Sequence, residues 1–241
     1  MKKTFTVSLL LVLFLAIVFF GLISVKAENP LEGKIIALDA GHGGDELGAV
    51  NQTTGVAEKD VNLAVVYTLK KKLEDSTVGA KVVLTRKCDE TISSRKSRVD
   101  MAIEECKTLY GRKCDVLVSV HHNGNTNPLH DGTLVIYNEK QDIPLATALH
   151  DALISALGLP DEGYDNGGYG MTVFGHLVSA LTEAYYVTND WEATQYLNGI
   201  STRVCDSKSV LIGDRINQEA DALYQGLVNY FSASPTKPGR K

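Results

Sequence analysis

The sequence has no surplus of positive charge. Lys and Arg number 24 against 29 Asp and Glu, for a net charge of −5. Nothing therefore draws the chain toward a phosphate backbone, and nucleic acid is set aside as a partner. There is no CxxC pair and no Cys/His spacing of the kind that closes a structural zinc site. No internal repeat is visible, and the expectation is one catalytic-sized domain without an appended binding module. With 44% hydrophobic and 22% charged residues, the composition excludes a disordered chain.

A long apolar run occurs once, at the N-terminus. Met1-Lys2-Lys3 is a short basic region, and SLLLVLFLAIVFFGLIS then runs without a charge to Ser24. Val25-Lys26-Ala27 offers a cleavage point after Ala27, so residues 1–27 read as a signal peptide. The run is also long enough for an uncleaved anchor, in which case residues 5–24 are the chain's only contact with a membrane. Either way the domain is expected to be extracytoplasmic: secreted, periplasmic or anchored to the cell envelope. The four cysteines, Cys88, Cys106, Cys114 and Cys205, suit an oxidising compartment, where an even number suggests two disulfides. Three pairings are possible. Cys106, late in a helix, can meet Cys114 at the start of the next strand, which leaves Cys88 for Cys205. Free buried thiols are the alternative.

Past Ala27 the pattern alternates. Apolar runs at 34–38, 81–85, 115–120, 134–137 and 179–187 read as strands. Val61, Leu63, Ala64, Val66, Leu69 and Leu73 recur at helical spacing and predict a helix over 59–74. Further helices are expected over 93–110, 142–157 (with Pro144 in the first turn) and 212–231. The expectation is a single α/β domain over 28–233, with a central mostly parallel sheet flanked by helices on both faces. The Gly- and Tyr-rich stretch 161–171 reads as a mobile rim loop in which Tyr164 and Tyr169 could stack on a ligand, although exposed tyrosines there are more often incidental. SPTKPGRK, 234–241, is expected to be a flexible tail.

Ligand sites in open α/β sheets gather at the carboxyl ends of the strands. The first strand runs out into IIALDAGHGGDELGA, placing Asp39 and His42 there, with His42 alone among glycines. The third ends in VSVHHNGN, with His121, His122 and Asn123. Glu58 lies in GVAEKDVNLA, just ahead of the first long helix. Two imidazoles and one carboxylate are a ligand set for catalytic zinc: three protein ligands leave a fourth position for water. Glycines let the backbone pass close to such a centre. Taken singly, each residue has a plainer explanation. A histidine in a Gly-rich loop is ordinary, and a glutamate before a helix suits the dipole. Glu183, within SALTEAYYVTN, is a glutamate among apolar strand neighbours. It is either on a solvated edge or a carboxylate aimed at the attacking water.

These stretches resemble the zinc-dependent N-acetylmuramoyl-L-alanine amidases of the type-3 amidase family, which cut peptidoglycan. The matching segments are IALDAGHGGDELGA, GVAEKDVNLAVVYTLKKKL, VVLTRKCDETISSRKSRVDMA, DVLVSVHHNGN and LTEAYYVTNDWEATQYL, in the family's order. The resemblance implies that His42, Glu58 and His121 hold zinc and that Glu183 is the catalytic acid and base. His122 falls at a variable position and is not taken as a ligand. Asn123 matches a characteristic asparagine that supports the site from behind, and Arg98 matches a family arginine to which no role is given. His130, His150 and His176 have no match and read as surface or loop residues. The implied substrate is the amide between the lactyl group of N-acetylmuramic acid and L-alanine of the stem peptide, with peptidoglycan as the partner and an activator protein left open. Two other functions remain: a zinc peptidase acting on cell-wall peptides, and a catalytically inactive wall-binding regulator. The chain departs from the family in having Ala40-Gly41 for the usual Pro-Gly. TVFGHLVSALTE also lacks the Arg and Pro expected before the catalytic Glu.

Overall fold

In a computed structural model of the protein, which describes residues 29–167 and 170–233, β1 (Ile35–Ala40) has all six residues buried. Both faces are apolar because both are covered. Ile36, Leu38 and Ala40 pack into one core cluster, and Ile35 and Ala37 into another on the opposite face.

Around β1 lie β2 (Lys81–Leu84), β3 (Val116–Asn123), β4 (Thr133–Tyr137), β5 (Asp161–Asn166) and β6 (Ser179–Tyr186), in the order β2-β1-β3-β6-β4-β5. Every neighbouring pair is parallel except β4 with β6. The larger core holds the apolar stripes of α1 (Glu58–Leu73), α3 (Ile143–Leu157) and α5 (Asp214–Ala233). On the other face, α2 (Arg95–Tyr110) supplies Val99, Ala102 and Ile103, which pack with Met171 and Leu177. This is the mostly parallel, two-face-covered sheet expected from the alternating pattern. Residues 1–28, Gly168, Tyr169 and 234–241 lie outside the described residues, and with them the expected signal, one rim tyrosine and the tail. Among the described residues no helix is long and apolar enough to cross a membrane.

Three elements differ from the expectation. Within 161–171, read as a mobile rim loop, residues 161–166 form edge strand β5, followed by a short 3-10 turn at Gly170–Val173. The sequence DEGYDN has no apolar alternation because the strand is largely exposed. Its pairing with β4 is a matter of backbone rather than burial. A short helix, α4 (Asp190–Leu197), starts at Asn189, whose side chain accepts from the backbone N–H groups of Trp191 and Glu192. Finally, β7 (Ile200–Cys205) and β8 (Lys208–Ile212) form a separate antiparallel hairpin, so the last helix begins at Asp214 rather than at 212.

Both disulfides are present, as Cys106–Cys114 and Cys88–Cys205, with Cα–Cα distances of 5.5 and 5.7 Å. The first closes the loop between α2 and β3. The second ties the segment after β2 to the outer hairpin across 117 positions. In the chain-entropy picture the long loop matters more. Replacing Cys88 and Cys205 by Ser should cost roughly 5 kcal/mol of stability, against about half that for Cys106 and Cys114. Denaturant unfolding of the two double variants under non-reducing conditions checks the order.

Candidate metal centre

β1 delivers its chain end to the middle of the sheet edge, and the backbone there turns sharply. His42 has φ 59°, a left-handed conformation that costs a side-chain-bearing residue about 1–2 kcal/mol. Two buried arginines hold it. Arg86 donates to the carbonyls of Ala40 (2.8 Å) and Gly41 (3.0 Å). Arg98 donates to the carbonyls of Ala40 (2.9 Å) and His42 and to the Asp39 carboxylate (3.0 Å). Asp39 is fully buried and also accepts from Ser119 (2.7 Å) and Thr85. Burial alone would raise its pKa, but Arg98 leads the interactions that bring it below the ordinary value. Asp39 is thus an anchor for Arg98, and the family arginine left without a role is a clamp on the loop that carries His42.

Glu58 is the first residue of α1 and is buried. Its carboxylate lies between two imidazoles, with Oε2 3.0 Å from His42 Nε2 and Oε1 2.9 Å from His121 Nδ1. Backbone N–H groups of Ala49 (2.9 Å to Oε2) and His122 (3.1 Å to Oε1) donate to it, as does Asn62 Nδ2 (3.2 Å to Oε1). Burial opposes ionisation, but the hydrogen bonds from His121 and His42 outweigh it and hold the carboxyl far below the usual range. For His42, burial disfavours the charged form, yet Glu58 and Glu46 raise its pKa overall. One donor atom each from His42, Glu58 and His121 lie within 4.8 Å of one another. That set can coordinate one divalent cation.

The backbone is cut to fit this cluster. A Cβ on Gly41 would stand 2.3 Å from the His121 ring, and one on Gly48 would stand 2.4 Å from Glu58 Oε2 and 2.6 Å from the His42 ring. Opposite the cluster, Glu183 on β6 pairs in register with His121 on β3. His42, His121 and Glu183 line one cleft of about 480 Å³, together with Ser93, Arg95, Ile136 and Met171. Glu183 Oε2 is buried without a hydrogen-bond partner. Burial, and secondly the negative charge of Glu58, push its carboxyl well above the ordinary value. An orphaned oxygen on a carboxylate that lines the same cleft as His42 and His121 is what a site built for a cation and its attendant water would contain.

The four residues predicted from sequence are therefore brought together. Others are placed differently. The Asn123 side chain accepts from the next backbone N–H, Gly124 (2.8 Å), and the residue that donates to Glu58 is Asn62. His122 lies on the far side of β3 and is buried. His150, read as a surface or loop residue, is also buried and contacts Asp161 at 2.8 Å. Sequence reading missed Arg86 and Asn62. The second had a signal: it stands four positions after Glu58 on one helix, where side chains meet. Arg86 had none, because its partners are backbone carbonyls.

Comparison with known proteins follows the same lines. A family model described as N-acetylmuramoyl-L-alanine amidase matches residues 36–202. Protein YqiI of Bacillus subtilis is 28% identical over 212 residues, 86% of this chain and 89% of that one. N-acetylmuramoyl-L-alanine amidase LytC of the same organism is 27% identical over 210 residues, 86% of this chain but 37% of LytC. Thus the chain spans most of one relative and little more than a third of the other. The catalytic domain of CwlV, an N-acetylmuramoyl-L-alanine amidase from Bacillus (Paenibacillus) polymyxa, superposes with a TM-score of 0.66 at 26% identity. The match covers 83% of this chain and 99% of that domain.

Two substitutions test the construction. Gly41→Ala should displace the His121 ring and lower bound metal at least tenfold while the far-ultraviolet spectrum stays native, as metal analysis beside circular dichroism would show. Arg98→Met should leave the Asp39 charge buried and unpaired and cost about 3–5 kcal/mol in denaturant unfolding.

Proposed function

Because the chain belongs to the N-acetylmuramoyl-L-alanine amidase family, we propose that it is a zinc-dependent hydrolase of peptidoglycan. It cleaves the amide between the lactyl group of N-acetylmuramic acid and L-alanine of the stem peptide. The observation that carries the reading is Glu183, a carboxylate with a buried, unpartnered oxygen, set on the strand beside His121 and lining the same cleft. His42, Glu58 and His121 hold the metal. A His/His/carboxylate set is a ligand set of catalytic zinc sites, and zinc when bound supplies a Lewis acid that polarises the scissile carbonyl and acidifies water.

The chain's own residues account for the proton traffic. Glu183 takes a proton from the water that attacks the carbonyl carbon. It returns that proton to the amide nitrogen as the C–N bond breaks, leaving a lactyl carboxylate and a free alanine amino group. A carboxyl whose pKa is lifted by burial and by a neighbouring negative charge is suited to both halves of that task. Glu58, pushed the other way, stays ionised as a ligand. The protein acts outside the cytoplasm, where its substrate lies and where its two disulfides persist. The apolar N-terminal segment serves as its export signal or anchor, ahead of a catalytic domain over 28–233.

Glu183→Gln should retain about one zinc per chain and lose at least a thousandfold in turnover on muropeptides. Mass spectrometry of the wild-type products should show a free amino terminus on alanine and an intact lactyl group. Cleavage within the stem peptide would instead make the protein a peptidase. Zinc without digestion by the wild type would point to a required activator. Full activity of Glu183→Gln would remove the assigned base.

A further inference from the structure

Behind the cluster, on the other face of β3, a second set of polar side chains is sealed from solvent. His122, Asn62 and Glu219 are at most 1% exposed, and they come from β3, α1 and α5. Asn62 Nδ2 lies 3.1 Å from the carbonyl of Gly41 and 3.2 Å from Glu58 Oε1. Neither of those oxygens can donate, so the amide nitrogen must face them, and Asn62 Oδ1 is left as an acceptor. Its partner is His122 Nδ1 at 2.6 Å. Nδ1 therefore carries a hydrogen. The other ring nitrogen, Nε2, lies 2.9 Å from Glu219 Oε2, with one proton between them. The His122 backbone N–H also donates to Glu58 Oε1, so this residue reaches the carboxylate twice.

A break in the sheet makes room for the arrangement. The register between β3 and β6 shifts after His121, which pairs with Glu183, while Asn123 pairs with Tyr186. Ala184 and Tyr185 thus stand opposite His122 alone, and the Tyr185 ring lies against the imidazole at 4.2 Å between centroids.

We propose that Glu219, His122 and Asn62 form a positioning chain for Glu58, which makes the last helix part of the metal centre. The reading rests on the proposed assignment of Glu58 as a ligand. The imidazole N–H fixes the orientation of the Asn62 amide, and the amide in turn fixes the Glu58 carboxylate. Were Asn62 to flip, its oxygen would confront two acceptors, and Glu58 would lose a donor. Glu219 holds the imidazole at its far end. None of the three touches substrate, and their effect is on the geometry and affinity of the metal site.

The test is Zn²⁺ affinity, measured on the purified full-length protein by competition with a chromophoric chelator. The His122→Leu/Glu219→Leu double variant removes the pair without leaving a buried charge. It should weaken Zn²⁺ binding about 10- to 100-fold, with the metal-free protein still unfolding cooperatively. His122→Asn in the Glu219→Leu background keeps a donor for Asn62 Oδ1 and should recover most of that affinity, which a merely structural role would not predict. Unchanged affinity in the double variant, beside loss of binding in Glu58→Gln, would overturn the chain alone. A wild type that binds no Zn²⁺ would overturn both the chain and the metal assignment.

Discussion

The site depends on backbone carbonyls that no regular structure satisfies. Where β1 ends, the two guanidinium groups of Arg86 and Arg98 donate to the oxygens of Ala40, Gly41 and His42, and Asn62 adds a further donor at Gly41. A fork of rigid donors suits this task better than a lysine, because several acceptors must be met at fixed angles. Once those carbonyls are held, the left-handed turn at His42 is over-determined, and its imidazole has one place to go. Asp39 completes the arrangement by giving Arg98 a counter-charge in the dry interior.

Two carboxylates near one another, Glu58 and Glu183, are driven in opposite directions by their surroundings. Glu58 receives donors from every side and remains an anion. Glu183 has an oxygen with no donor and feels the charge of Glu58, so it holds a proton more readily. Separating the proposed ligand from the proposed acid-base group needs no difference in residue type. It needs one carboxylate at a helix start, among backbone N–H groups, and the other mid-strand beside apolar neighbours.

Much of this was legible before the structure. Apolar runs alternating with helical stripes define the layered sheet, because burial on both faces leaves strands such as Ile35–Ala40 and Val116–Val120 almost without polar residues. The strand ends then point to His42 and His121. The elements that escaped notice are held by other forces. β5 is exposed and kept by backbone pairing, and the β7–β8 hairpin is anchored through Cys205 and, among the described residues, forms a sheet of its own. The contacts of His122 with Asn62 and with Glu219 span 60 and 97 positions of the chain, and only the four-residue step from Glu58 to Asn62 is local. Such contacts follow from the packing of α1 and α5 on the sheet and have no signature in local pattern.

The place of β6 in the sheet bears on how the protein reaches its native state. Strands β2, β1 and β3 come early in the chain and can assemble with local crossovers, whereas β4 and β5 pair with each other. Among the described residues only β6 hydrogen-bonds to both groups. The two groups are thus joined through a strand that comes after both in the chain, and its pairing with β3 closes a long loop at an entropic cost. That strand carries Glu183. The proposed metal ligands His42, Glu58 and His121 all precede that strand in the chain, so the set of four is complete only once β6 has paired with β3.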